Sequence, residues 1–202
     1  ENNMVTLTTA NDPASKPIFK WANNYSWTYN GNLAGKSQIK EAVKMQGGIV
    51  DGVLRFSVNW SGPQTGDNSD LDAWAKEPSG RNIGYDTGFR KDRGNMRSPM
   101  SGQLDIDITD PKGQRNYIDV VENIAWNDIK LMKDGVYHLW VNQFSARGSK
   151  GFIAEVEFDG QIYTYAYKQP LPQGTKVKVA NVTLSKGEFT IEHLLLCTEG
   201  EG

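Results

Sequence analysis

Two acidic motifs hold the residues of this chain best suited to chemistry: Asp67-Asn68-Ser69-Asp70-Leu71-Asp72 and Leu104-Asp105-Ile106-Asp107-Ile108-Thr109-Asp110. Each sets carboxylates at alternate positions in a partly apolar run. Strand side chains alternate between faces, so the pattern predicts that Asp70 and Asp72 project together, as do Asp105 and Asp107. Leu71 and Ala73 then point the other way, as do Leu104, Ile106 and Ile108. Neighbouring carboxylates repel one another unless water, a cation or a basic partner intervenes. A divalent cation is the simplest such agent. Calcium takes about six to eight oxygen ligands from carboxylates, amides, carbonyls and water. The candidate metal ligands are therefore Asp67, Asp70, Asp72, Asp105, Asp107, Asp110 and Glu122, with Ca²⁺ as the cofactor. The glycine and terminal glutamate of an EF-hand are missing at the required offsets. Two other readings use the same residues. One is a solvated acidic strand face whose carboxylates cap turns or pair with arginines of the 81–97 stretch. The other is a carboxylate pair cleaving glycans, which needs a separation and a cleft that spacing alone does not give.

The elements that must position these residues are strands. Leu54, Phe56, Val58 and Trp60 alternate with Arg55, Ser57 and Asn59, which predicts a half-buried strand. Tyr137, Leu139 and Val141 alternate with His138, Trp140 and Asn142, and Phe152 to Phe158 repeats the pattern. Asp159-Gly160 separates that run from Ile162–Tyr167, a hairpin signal because a type I′ turn needs positive φ at both central residues. Val177–Leu184, a Ser185-Lys186-Gly187 turn and Phe189–Leu195 predict a second hairpin. The fold class expected is all-β, an antiparallel β-sandwich of jelly-roll type. One short helix is expected near Ser37–Met45, capped by Ser37 and ended by Gly47-Gly48. Residues 1–50, with Trp21, Tyr25, Trp27 and Tyr29, read as an N-terminal extension packed on a sandwich of residues 51–202. Residues 77–102 read as a long, poorly patterned and basic loop, the kind that is usually functional or disordered.

Composition removes several function classes. The 202 residues carry a formal net charge of −2, which argues against a general nucleic-acid binder needing a basic face. Mean hydropathy is −0.57, and no apolar run approaches the roughly 18 residues of a membrane span. The lone cysteine, Cys197, excludes an internal disulfide framework and reads as a buried small hydrophobe. Gly31-Asn-Leu-Ala-Gly35-Lys36-Ser37 mimics a phosphate loop but has one residue too few between its glycines. His138 and His193 are the only histidines; no nucleophile elbow or zinc-ligand spacing accompanies them. Trp74, Trp126, Trp140 and the Tyr163-Tyr165-Tyr167 face offer a stacking surface for sugar rings, although aromatics in sandwiches more often fill the core.

Taken in order, the pieces resemble a family of mostly secreted bacterial proteins, the YfaP-like proteins (domain of unknown function 2135). The matching residues are Leu54–Trp60, Asp70-Leu71-Asp72, Pro78-Ser-Gly80, Gly102-Gln-Leu104-Asp105-Ile-Asp107-Ile-Thr109-Asp110, Glu122-Asn123-Ile124 and Gly135-Val-Tyr137, spanning about residues 50–160. The segment from Pro111 to Val121 is longer than the family's usual link. The resemblance implies a β-sandwich and an extracytoplasmic or secreted setting, without an established activity. The sequence thus leads to a non-enzymatic accessory or binding domain with an acidic, Ca²⁺-binding edge and an unidentified protein or glycan partner. A structural or assembly protein of a surface, adhesion apparatus or virion is the first alternative, and a glycan-binding module or glycan hydrolase the second.

Overall fold

The computed structural model describes residues 37–60, 66–85, 102–109, 111 and 120–201. In chain order these form α1 (Gln38–Met45), β1 (Leu54–Trp60), β2 (Asp70–Lys76), β3 (Asn82–Ile83), β4 (Gly102–Ile106) and β5 (Val120–Trp126). There follow β6 (Gly135–Ser145), β7 (Phe152–Phe158), β8 (Gln161–Tyr167), β9 (Lys176–Ser185), β10 (Glu188–His193) and β11 (Cys197–Glu201). One sheet runs β11-β8-β7-β1-β5-β4 and the other β10-β9-β6-β2-β3, with every pairing antiparallel. This is the expected all-β sandwich. Both hairpins form as read: Asp159 and Gly160 have φ of 51° and 73°, and Lys186 and Gly187 have 52° and 86°.

The core lies between the sheets. Leu54, Phe56, Val58 and Trp60 of β1 and Ile124 and Trp126 of β5 meet Leu71, Ala73 and Ala75 of β2 and Tyr137, Leu139 and Val141 of β6. All are essentially excluded from water, and each large aliphatic or aromatic side chain buried this way contributes about 1.5–3 kcal/mol. Trp126 packs edge-on against Tyr137, with ring centroids 5.8 Å apart. Its indole also explains Gly102 at the start of β4, because a Cβ there would collide with the Trp126 ring.

Alternation fails as a guide to exposure on β1. Arg55 and Ser57 point away from the core yet are as buried as the residues between them. The cause is α1, which lies over β1 and β5 and buries Ile39 and Val43, one turn apart on the same face. The helix ends in a Schellman motif: Gly48 N–H donates to Val43 O and Gly47 N–H to Lys44 O, with Gly47 at φ 81°. The helix expected in the N-terminal extension therefore belongs to the compact unit Gln38–Glu201. The aromatic residues of the first thirty-six positions lie outside the described residues.

Candidate functional site

Two β-bulges decide which acidic residues meet. In the β4–β5 pairing, Leu104 stands opposite Ile124 but Ile106 stands opposite Asn123, so Asp105 is an extra residue. A bulge of this kind shifts the alternation beyond it. Asp105 consequently accepts from Asn123 Nδ2 at 2.8 Å and from Ile49 N–H at 2.5 Å, on the helix-covered face. Asp107 instead stands against the carboxyl of Glu122, the residue before Asn123 and on the opposite face of β5. The expectation that Asp105 and Asp107 project together is thus corrected. Ile106 goes with Asp105 toward the helix, where it packs near Val43, rather than with Leu104.

The second bulge lies in the β2–β6 pairing. Asp70 stands opposite Ser145 and Leu71 opposite Gln143, which leaves Phe144 as the extra residue. Asp70 and Asp72 keep the shared face read from the sequence, and both line one cavity. Phe144 is turned outward at its rim, half-exposed.

Glu122 is the centre of this arrangement. Strand β3 pairs only with Ala75 and Lys76, so among the described residues β2 has no strand neighbour on that edge at Ala73. Glu122 reaches from the other sheet to fill the gap, and its Oε2 accepts from Ala73 N–H at 2.7 Å. Its Oε1 is buried with no donor in reach. The Asp107 carboxylate lies within hydrogen-bonding reach of the Glu122 carboxyl, and Asp72 is close enough to act on its charge. Burial first, then the charges of Asp72 and Asp107, push the Glu122 pKa well above its ordinary value. Two ionised carboxylates cannot hydrogen-bond to each other, so the pair needs either a proton or a cation between its members. Asp72 Oδ2 accepts from Asn142 Nδ2 at 2.9 Å across the strand pair. Among the described residues, no three carboxylate, imidazole or thiol groups already stand close enough to enclose a metal ion.

The other sequence candidates have different places. Asp67 accepts from Ser69 N–H and from Lys150 N–H, each at 2.9 Å, and so pins the loop before β2 to the loop after β6. It is a buried structural cap away from the Glu122 cluster. Asp105 belongs to the helix-covered network, where burial raises its pKa against the lowering effect of its hydrogen bonds. Asp110 and the basic positions Arg90, Lys91, Arg93 and Arg97 lie outside the described residues. Arg81, from the same stretch, donates to Gly102 O at 2.9 Å, and residues 77–85 form a turn and β3 rather than unpatterned loop.

The aromatic surface is smaller than its composition suggested. Trp126 is in the core with its indole N–H on Glu77, and Tyr165 is fully buried with Tyr163 and Tyr167 packed beside it. Trp74 and Trp140 do face outward, but they stack on each other at 5.9 Å and 11°. Gly84 closes the other side of Trp74. His138 is exposed as read, and Cys197 is partly exposed rather than buried. The feature that sequence reasoning missed is the Phe144–Tyr85 pair at the cavity rim, with rings 5.7 Å apart. Only the bulge brings it there, and no residue type announces it. Compared with known proteins, the chain matches no family model and no curated protein sequence.

Proposed function

We propose that this is a non-enzymatic binding domain whose acidic edge takes a divalent cation, Ca²⁺ first, through Asp72, Asp107 and Glu122, with Asp70 at the mouth. The observation that supports this most is the buried Glu122 Oε1, which lacks a donor and belongs to a carboxyl set against two other carboxylates. A cation would give that Glu122 oxygen a partner and offset the repulsion between the Glu122 carboxyl and its two neighbours. Calcium tolerates irregular oxygen cages, and Asp107 lies just beyond the end of β4, where the backbone is no longer held in the ladder. The same contact speaks against glycoside hydrolysis. Glycosidase carboxyl groups stand roughly 5 Å or more apart around a substrate, whereas Asp107 and Glu122 are in contact and Glu122 is fully enclosed. The resemblance to the YfaP-like family adds an extracytoplasmic setting to the proposal, where calcium modules with dissociation constants of about 10⁻⁴–10⁻³ M operate.

Thermal melts in EDTA and in excess Ca²⁺ test the reading. At a hundredfold excess over the dissociation constant, metal should stabilise the fold by about 2.7 kcal/mol. For a domain of this size that raises the melting temperature by roughly 5–10 °C. An unchanged melting temperature overturns the proposal.

A further inference from the structure

The outer face of the five-stranded sheet carries basic and aromatic residues that the acidic edge does not use. Trp140 lies at its centre, between the core residues Leu139 and Val141 and turned away from them. Strand pairing sets Trp74 directly opposite it on β2 and Lys178 directly opposite on β9. Lys76 and Lys176 stand one row to either side, opposite His138 and Asn142. Diagonal neighbours on one face of a sheet lie about 7–8 Å apart, so long side chains here reach a common ligand. The three lysines are exposed, and among the described residues none has an ion pair. Of the nearest acids, Glu192 accepts from Asn181 Nδ2 at 2.7 Å, and buried Asp72 accepts from Asn142. Glu192 thereby orients a further group. With Nδ2 held by the carboxylate, Asn181 turns Oδ1 to His138 Nδ1, 2.7 Å away. Nδ1 of the neutral ring must then carry the proton, which leaves Nε2 of this exposed histidine as an acceptor. Gly84 closes the other side of Trp74, so it is Trp140 that presents a ring face, toward Lys178. Neither indole N–H meets an acceptor among the described residues, although both are enclosed. Enclosed donors without acceptors weaken a fold, and such departures from packing rules are expected at functional positions.

We infer that this face binds an acidic polysaccharide, one sugar ring lying on the Trp140 indole while carboxylate or sulfate groups along the chain meet Lys76, Lys176 and Lys178. A pyranose ring turns a face of C–H groups, each slightly positive, toward the negative face of an indole. A hydroxyl beside that ring finds His138 Nε2. Lysine ammoniums are point charges on flexible stems, suited to anions repeated along a chain rather than to one fixed fork. Single-stranded nucleic acid is anionic and stacks as well, but it uses a series of aromatic platforms for successive bases, and this face offers one ring. The site shares no ligand with the proposed metal site and does not need the metal.

The test is calorimetric titration of the whole chain in EDTA with three hexasaccharides: galacturonic acid hexamer, a sulfated heparin hexamer and neutral maltohexaose. At least one acidic hexamer is expected to bind tenfold or more tightly than the neutral one, and the tighter of the two identifies the anion as carboxylate or sulfate. Binding should weaken as salt is raised. Trp140→Ala should weaken the acidic hexamer about tenfold. Lys176→Gln combined with Lys178→Gln, both at exposed positions, should weaken it about fivefold with the melting temperature unchanged. The lysine pair carries the test alone should Trp140→Ala melt early. Equal binding of acidic and neutral hexamers, no binding at all, or indifference to the lysine pair overturns the inference. Equally tight binding of single-stranded DNA of the same charge also overturns it, in favour of a general polyanion surface. Binding that appears only with added Ca²⁺ overturns it and leaves the metal reading standing. Binding in EDTA without any Ca²⁺ effect on the melting temperature supports it and removes the metal reading instead.

Discussion

The six-stranded sheet carries acidic residues on both of its faces, and the two groups are treated in opposite ways. Beneath α1, Glu155 and Glu157 pair with Arg55 at 3.1 and 2.6 Å, and Glu157 also pairs with Lys40 at 2.6 Å. Arg55 continues through Ser57 and Asn123 to Asp105, so the network is closed by donors from end to end. Against the core-side edge, Glu122 meets Asp72 and Asp107 with one oxygen lacking a donor. A buried charge that is fully partnered holds a fold together. One that is left wanting a cation costs stability until a ligand supplies it. On the proposed reading, the first group is scaffold and the second is the cation site.

The comparison breaks first at Arg55. Arg55→Met strips the guanidinium from two enclosed glutamates and should cost about 3–5 kcal/mol in urea denaturation, with any Ca²⁺ response of the remaining fold retained. A cost near zero would mean that the helix-covered network is not the structural half. Glu122→Gln comes next. It should abolish the Ca²⁺ stabilisation of about 2.7 kcal/mol, yet melt higher than the parent protein in EDTA at neutral pH, since a glutamine amide can donate to Asp107. Asp105→Asn keeps an acceptor for one neighbour and loses a charge-assisted bond, so a loss of about 1–2 kcal/mol is expected.

The smallest effect is the pH slope. The folded pKa of Glu122 is raised above the ordinary 4.5, so the native state holds a proton that the unfolded chain has released. The resulting contribution is complete below 4.5 and is lost as pH climbs through the folded value. In EDTA, stability should therefore fall with rising pH in the parent protein more than in Glu122→Gln. Parallel pH profiles would contradict the assignment of Glu122.

Much of the scaffold was legible because it follows from local rules. Alternation located β1, β6 and β7, and the Asp-Gly and Lys-Gly turns set both hairpins. Of the carboxylates singled out in the motifs, Asp72 and Asp107 lie close enough to Glu122 to act on its charge. What the sequence could not show was which aspartates share a face. A bulge adds one residue to one strand, and nothing in Leu104-Asp105-Ile106 distinguishes a bulged ladder from a regular one. The same limit hid Phe144. Arg55 departs from a half-buried strand for a different reason: a helix packed on the outer face makes a polar position as dry as the core, and alternation sees only one face at a time.

The central claim is that the bulge at Asp105 sorts the second motif into one structural carboxylate and one that the proposed function assigns to the cation. Its most direct test is the melting temperature of Asp105→Asn and Asp107→Asn, each measured in EDTA and in saturating Ca²⁺. The account requires the Ca²⁺ shift to survive in Asp105→Asn, on a less stable protein, and to vanish in Asp107→Asn. A shift kept by Asp107→Asn and lost by Asp105→Asn would contradict it.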